Sequence, residues 1–164
     1  MNAESIDVRE AALPVFVRAI THYFSHLSHV AAETEAPYLL EGPPEISDFT
    51  AVVGVSGDVQ GCVYYTAPRA MLDRLLHFVG EPRPTDQLRS DMAGEVANTL
   101  SGNARRQLGP GFMISVPTVL QGKPTRLTGP KGTACFVIPI LWQEMRSLLM
   151  LYLADNAPDT ADIL

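Results

Sequence analysis

The chain has 164 residues, of which 46% are hydrophobic and 18% charged, and its formal net charge is −6. This composition predicts a single globular domain over residues 1–164 and excludes a disordered chain. The largest basic cluster is the dipeptide Arg105-Arg106, which argues against a nucleic-acid-binding protein. No apolar run approaches the roughly 20 residues that span a bilayer, and the N-terminus carries acids where a signal peptide needs positive charge. We therefore expect a cytoplasmic protein without membrane contact.

The first half of the chain predicts one helix followed by a hairpin. Apolar residues recur at helical spacing over residues 8–27, and Pro14 is expected to kink this helix or to mark a late start. A proline-rich loop with one short extended piece follows over residues 35–48. Two β-rich runs then flank Ser56-Gly57-Asp58, a turn signal that predicts a β-hairpin over residues 49–67.

The second half predicts two helices and then strands. One helix is expected to begin near Pro68 and to end at Gly80, and a longer one should run from residue 85 or 86 to 108. Residues 112–122 predict a strand that Pro117 restricts to a sheet edge or a bulge.

Residues 133–142 predict another strand. Residues 144–155 leave helix and strand open, because their Leu and Met content favours a helix while their length and position favour a strand. Residues 155–164 are expected to form a frayed tail. The order of these elements predicts an α+β (mixed α/β) fold, in which an antiparallel-rich β-sheet packs against two long central helices.

The helix over residues 86–108 has two faces at the helical period. One face is apolar and is expected to enter the core, and it carries Met92, Ala93, Val96, Ala97, Leu100 and Ala104. The opposite stripe carries Asp91, Glu95, Asn98, Gly102 and Arg105. Glu95 and Asn98 point the same way because they are three residues apart, and Gly102 costs about 1 kcal/mol of helix stability relative to Ala. From spacing alone, the alternative is a polar face that simply remains hydrated.

The motif Asp91-x3-Glu95-x2-Asn98, followed by SGNA and later by Pro117, resembles the signature of the CheC/CheX/FliY phosphatases of bacterial chemotaxis. Here 18 residues separate Asn98 from Pro117. The runs GDVQGCVYYTAP and VIPILWQ…LLMLYLA are similar to the paired strands of that family, so the resemblance covers most of the chain. The helix of residues 8–27 lacks Glu-x2-Asn, and one such site rather than two is the CheX pattern.

The resemblance implies a CheX-like homodimer that hydrolyses the phospho-aspartate of a CheY-like response-regulator receiver. Asn98 would hold the attacking water, and Glu95 would pair with the active-site Lys of the receiver. Asp91, Gly102 and Arg105 would make further contacts with this partner. The resemblance implies no cofactor on this chain, because the receiver supplies its own Mg²⁺. It leaves open which receiver is the substrate, and a non-catalytic dimeric adaptor that binds a receiver is the alternative function.

Two other groups of residues are candidate sites. His22, His26 and His29 have a spacing that can bind zinc, but no acidic or Cys ligand completes the set and His29 lies at the expected end of the helix, so a plain polar face is favoured and no metal site is expected. Cys62 and Cys135 lie in separate apolar runs, which favours buried free thiols over a disulfide.

Overall fold

A computed structural model describes residues 7–124 and 126–155, and this part of the chain contains three helices and eight strands. The helices are α1 (Val8–Ser28), α2 (Arg69–Phe78) and α3 (Asp86–Leu108). The strands are β1 (Glu33–Thr34), β2 (Tyr38–Leu39), β3 (Phe49–Gly57), β4 (Val59–Ala67), β5 (Phe112–Ile114), β6 (Thr118–Gln121), β7 (Cys135–Trp142) and β8 (Met145–Asp155). The predicted α+β class is confirmed.

The strands of the described chain form one antiparallel sheet. Its order is β1-β7-β8-β4-β3-β5, with β2 also paired to β7 and β6 also paired to β3. The hairpin predicted around Ser56-Gly57-Asp58 is confirmed as β3 and β4, which pair along almost their whole length. The long strands β8 and β4 lie in the middle of the sheet, and the shortest strands lie at its two edges.

The helices cover one face of this sheet, and the main apolar core lies between them and the strands. On β3, every second residue is buried towards this core: Phe49, Ala51, Val53 and Val55. α3 contacts α1, α2 and four of the strands, so it lies at the centre of the helical layer. The expectation of two long central helices is met by α3 alone, because α2 has only 10 residues and the second long helix is α1.

The opposite face of the sheet carries a smaller apolar cluster that includes Leu127, Tyr64 and Tyr152. The hydroxyl of Tyr64 donates a hydrogen bond to the backbone oxygen of Thr128 (2.6 Å), which holds the segment before β7 against this face.

The two cysteines also lie on this second face and are free thiols, as predicted. Cys62 on β4 and Cys135 on β7 are both registered opposite Tyr152 of β8, which lies between them. Two strand spacings of about 4.8 Å separate their Cα atoms by roughly 9.5 Å, beyond the reach of a disulfide. Burial raises the pKa of Cys135 to about 11.

The structure settles three expectations about helix and strand bounds. α1 begins at Val8 and includes Pro14, so the proline does not delay the helix. Residues 144–155 are a strand from Met145 onwards, and both faces of β8 are buried, which gives a continuous apolar run instead of alternation. Asp155 is the last residue of β8, and the other residues of the predicted frayed tail, 156–164, lie outside the described residues.

Candidate functional site

Helix α3 carries the candidate site residues, and local chemistry fixes its ends. The hydroxyl of Thr85 accepts a hydrogen bond (3.2 Å) from a backbone N–H of the first turn, which caps the N-terminus. Gly109 follows the last turn with a φ of 100°, a conformation that favours glycine. Arg89 forms ion pairs with Asp73 of α2 (2.6 Å) and with Asp86 (2.8 Å), so the N-terminal half of α3 is tied to α2.

The predicted division of α3 into two faces is confirmed. The core face is buried and consists of Met92, Ala93, Val96, Ala97, Leu100 and Ala104. On the other side Asp91, Glu95, Asn98 and Arg105 are exposed, and Gly102 is half-buried.

The side chains of Glu95 and Asn98 are largely free to meet a partner. Glu95 accepts one hydrogen bond (3.2 Å) from the hydroxyl of Thr99, one turn further along the helix. Asn98 forms no side-chain hydrogen bond with any residue of the described chain. Asp91 accepts a hydrogen bond (2.9 Å) from the side-chain amide of Gln87, so it is held along the helix surface. The stripe thus offers one uncommitted amide beside a lightly held carboxylate.

The exposed stripe of α3 faces a second surface, which we call the strand wall and which is formed by β5, β6 and the segment between them. The strand predicted over residues 112–122 is split there into two short strands that both pair with β3, at the edge of the sheet. Pro117 lies in the break, as its missing N–H requires. The wall packs closely on α3 at Gly94, where an added Cβ would lie 3.3 Å from Val119 and 3.7 Å from Pro117. The absence of a side chain at Gly94 therefore allows the strand wall to lie close to the helix.

Between these two walls runs a groove of about 720 Å³, which we call the acidic groove. Its helix wall contributes Gln87, Ser90, Asp91, Gly94, Glu95 and Asn98, and its strand wall contributes Ile114, Ser115, Val116, Pro117, Val119 and Gln121. The lining contains two carboxylates and neither Lys nor Arg. A partner group that enters this groove therefore meets negative charge and hydrogen-bonding groups on one side and mostly apolar side chains on the other.

The two remaining predicted site residues, Gly102 and Arg105, line a neighbouring groove of about 420 Å³. Ile114 lines both grooves, so the two are adjacent along α3. A Cβ added to Gly102 would have no atom within 4 Å, which means that open space lies over the helix there. The structure thus brings Asp91, Glu95 and Asn98 together and places Gly102 and Arg105 beside them.

Shifted pKa values near the site belong to supporting groups. Burial raises the pKa of Tyr23, a phenol of α1, and the charges of Tyr65 and Glu95 raise it further. The guanidinium groups of Arg89 and Arg69 hold the pKa of the Asp86 carboxyl below its usual value. Near neutral pH the first group therefore stays neutral and the second stays ionised.

The histidines do not assemble a metal site. The rings of His22 and His26 stack at 5.8 Å between centroids, while His29 lies just beyond α1 with a left-handed backbone. Within residues 7–124 and 126–155, no three His, Cys, Asp or Glu side chains lie close enough together to hold a metal ion.

The sequence analysis missed the residues that shape the strand wall. The Ser115 hydroxyl accepts a hydrogen bond from the Gly54 N–H (2.8 Å), and the Ser115 N–H donates to the Gly54 oxygen (2.9 Å). The amide of Gln121 donates to the Ser90 hydroxyl (2.9 Å), which joins the strand wall to α3. These contacts depend on the pairing of segments that are distant in sequence, so no local sequence pattern predicts them.

A family model described as chemotaxis phosphatase CheX matches residues 49–141, which is more than half of the chain. The chain belongs to the CheX family. The matched region runs from β3 into β7 and includes the whole acidic groove. The family resemblance predicted from the Glu95 and Asn98 motif is confirmed, and a phosphatase is supported at the level of the family.

Solved structures of chemotaxis proteins have the same fold. A putative chemotaxis protein from Desulfovibrio vulgaris Hildenborough is 22% identical, with a TM-score of 0.77 over 88% of this chain and 97% of that one. A CheX from Desulfovibrio desulfuricans is 22% identical, with a TM-score of 0.77 over 89% and 99%. The CheX–CheY–BeF3–Mg²⁺ complex from Borrelia burgdorferi contains a chain that is 18% identical, with a TM-score of 0.70 over 88% and 98%.

A comparison with curated proteins found no match in sequence. No helix in the described part of the chain is both long and apolar enough to cross a membrane.

Proposed function

We propose that this protein is a phosphatase that hydrolyses the phospho-aspartate of a CheY-like receiver domain. The observation that carries the proposal is the pairing of Glu95 with an uncommitted Asn98 on the exposed face of α3, in a groove that Pro117 closes from the other side. The crystallised complex of the Borrelia CheX with CheY, BeF3 and Mg²⁺ supports a receiver as the partner.

Asn98 is suited to hold the attacking water. An acyl phosphate is already activated, so the partner protein needs chiefly to position water and to complete the electrostatics. The amide oxygen accepts a hydrogen bond from the water, and the neutral side chain does not repel the phosphoryl oxygens. The water oxygen forms the new bond to phosphorus as the bond to the receiver aspartate breaks. Inorganic phosphate and the free carboxylate leave, and the proton of the water passes to phosphate or solvent.

Glu95 is suited to dock the receiver. A carboxylate would repel a phosphoryl group, but it forms a strong charge-assisted hydrogen bond with an ammonium group. The acidic groove has no cation of its own to compete for this carboxylate. Glu95 therefore pairs with the active-site Lys of the receiver and places Asn98 beside the phosphoryl group. Mg²⁺ arrives with the receiver, and this chain contributes no metal, nucleophile or covalent intermediate.

The remaining predicted contacts surround this pair. Asp91 and Arg105 contact the receiver at the rim, at the two ends of the exposed stripe of α3. Gly102 leaves room for the receiver loops, since open space lies over its position. These three residues contribute to binding rather than to the reaction.

The protein acts as a single-domain homodimer in the cytoplasm, where receiver domains work. Light scattering coupled to gel filtration measures the dimer directly, and we expect a mass near twice the 17.8 kDa of one chain. A mass of one chain would contradict the dimer without affecting the phosphatase.

The test of catalysis is the loss of label from a radiophosphorylated CheY-like receiver of the same organism, with substoichiometric amounts of this protein. Asn98→Ala should slow the loss by about 100-fold, because it removes the group that positions water. Asn103→Ala is the matched control, since Asn103 is an amide on the same helix that lines a different groove, and its activity should stay near that of the wild type.

Label that is stable with the wild-type protein would reject the phosphatase. If the receiver still bound under those conditions, the adaptor function would replace it. Equal activity of the two Asn variants would reject the role of Asn98 while leaving the reaction in place.

A further inference from the structure

Val116 is the most exposed large hydrophobic residue of the described chain. Its exposed fraction is 85%, whereas the others, Tyr38, Leu39, Val79, Met113 and Leu120, lie between 39% and 51%. It stands on the strand wall of the acidic groove, across from Glu95 and Asn98.

The backbone around Val116 is held firmly. Ser115 exchanges two hydrogen bonds with the backbone of Gly54 on β3, and its hydroxyl also lies 3.1 Å from the Val116 oxygen. Gly54 leaves little space, because an added Cβ would lie 3.2 Å from the Ser115 hydroxyl oxygen. Pro117 follows with a restricted φ and packs towards Gly94. The apolar side chain therefore has a fixed place on the groove rim, which lowers the entropic cost of ordering this segment when a partner binds.

The two walls of the groove specify the chemistry of the surface that fits between them. The helix wall presents the carboxylates of Asp91 and Glu95, so the partner must bring a cation. The strand wall presents Val116 together with Ile114 and Val119, so an apolar side chain must lie next to that cation.

We infer that Val116 is a receiver-binding residue that packs against an apolar side chain beside the receiver Lys and thereby sets affinity and partner choice. The inference rests on the proposed function for the identity of the partner. Val116 takes no part in the hydrolysis, because an aliphatic side chain neither donates nor accepts a hydrogen bond. Burial of a valine side chain on binding corresponds to about a tenfold change in affinity.

The experiment compares two valine-to-serine substitutions. Val116→Ser should raise the Kd for the receiver activated with BeF3⁻ and Mg²⁺ by about tenfold. It should raise the KM for the phosphorylated receiver by the same factor, while kcat stays within about twofold of the wild type. Val79→Ser is the matched control, because Val79 is also an exposed valine but lies at the end of α2, outside the groove. Its Kd and KM should not change. Val116→Leu should retain tight binding, since it keeps an apolar group at the rim.

Thermal unfolding of each variant separates loss of binding from loss of structure, and we expect no change at either exposed position. An unchanged Kd for Val116→Ser, with wild-type hydrolysis intact, would overturn the inference and leave the proposed function standing. A tenfold rise in Kd with a wild-type protein that binds but does not hydrolyse would support the inference and reject the phosphatase. A wild-type protein that binds no receiver would overturn both.

Discussion

The two sides of α3 carry the same kind of residue in opposite electrostatic surroundings. On one side, Asn98 lies in the acidic groove next to Glu95 and across from Pro117. On the other side, Asn103 is half-buried in a groove of about 440 Å³ between α1 and α3, together with Arg18, Ala19, His22, Arg106 and Gln107. We call this second site the basic groove, because its lining contains two arginines and no carboxylate.

The charges of the two grooves indicate which substrate the proposed phosphatase would accept. A free phosphate group is an anion and would be attracted to the basic groove and repelled by Asp91 and Glu95. A phosphoryl group on a receiver arrives with its own Mg²⁺ and Lys, which reverse the local charge. The acidic groove is therefore electrostatically suited to a substrate that brings cations with it. It is poorly suited to a small phosphate ester or acyl phosphate.

The strongest test of this comparison exchanges the substrate. We expect the protein to accelerate phosphate release from the phosphorylated receiver about 1,000 times more, or better, than it accelerates phosphate release from acetyl phosphate in the presence of Mg²⁺. The reason is that the receiver supplies most of the electrostatic stabilisation. Phosphate release from each substrate, measured against its uncatalysed rate, gives this ratio. Comparable acceleration of acetyl phosphate hydrolysis would mean that the active site lies wholly on this chain.

A second test reverses one charge in each groove. Glu95→Lys should lower kcat/KM for the phosphorylated receiver by about 30-fold or more, because it replaces an attractive contact with the receiver Lys by a repulsive one. Arg18→Glu, in the basic groove, should change kcat/KM by less than about twofold. Steady-state kinetics and circular dichroism of both variants check the result and the fold. A larger loss in Arg18→Glu than in Glu95→Lys would move the receiver contact to the basic groove.

The bounds of α3 and the direction of its site residues could be predicted from the sequence. The bounds of α3 and the shared direction of Glu95 and Asn98 follow from helical periodicity and from the cap at Thr85, which are local properties. The same periodicity puts Asn103 beside the apolar arc, and in the structure it is half-buried. These elements were predictable because neighbours along the chain determine them.

The strand wall was not predictable in the same way. Pro117 and Val116 reach the groove only because β5 and β6 both pair with β3. These segments are far apart in sequence: Ser115 and Gly54, which form hydrogen bonds with each other, are separated by 61 positions. The β7–β8 hairpin was not predicted from the sequence for another reason. Its turn residues, Gln143 and Glu144, have a left-handed backbone but are not the Asn or Gly that usually signals such a turn.

The last prediction, with the smallest expected effect, tests whether the strand wall packs tightly against α3 at Gly94. Gly102→Ala should raise the free energy of unfolding by about 0.5–1 kcal/mol, because alanine favours the helix and no atom obstructs its Cβ. Gly94→Ala brings the same gain in helix propensity but sets a Cβ 3.3 Å from a methyl group of Val119, so part of the gain is lost as the wall shifts. Chemical denaturation of both variants measures the difference. An equal gain at both positions would mean that β6 yields without cost, and that the distance from Pro117 to Asn98 is not fixed by packing at Gly94.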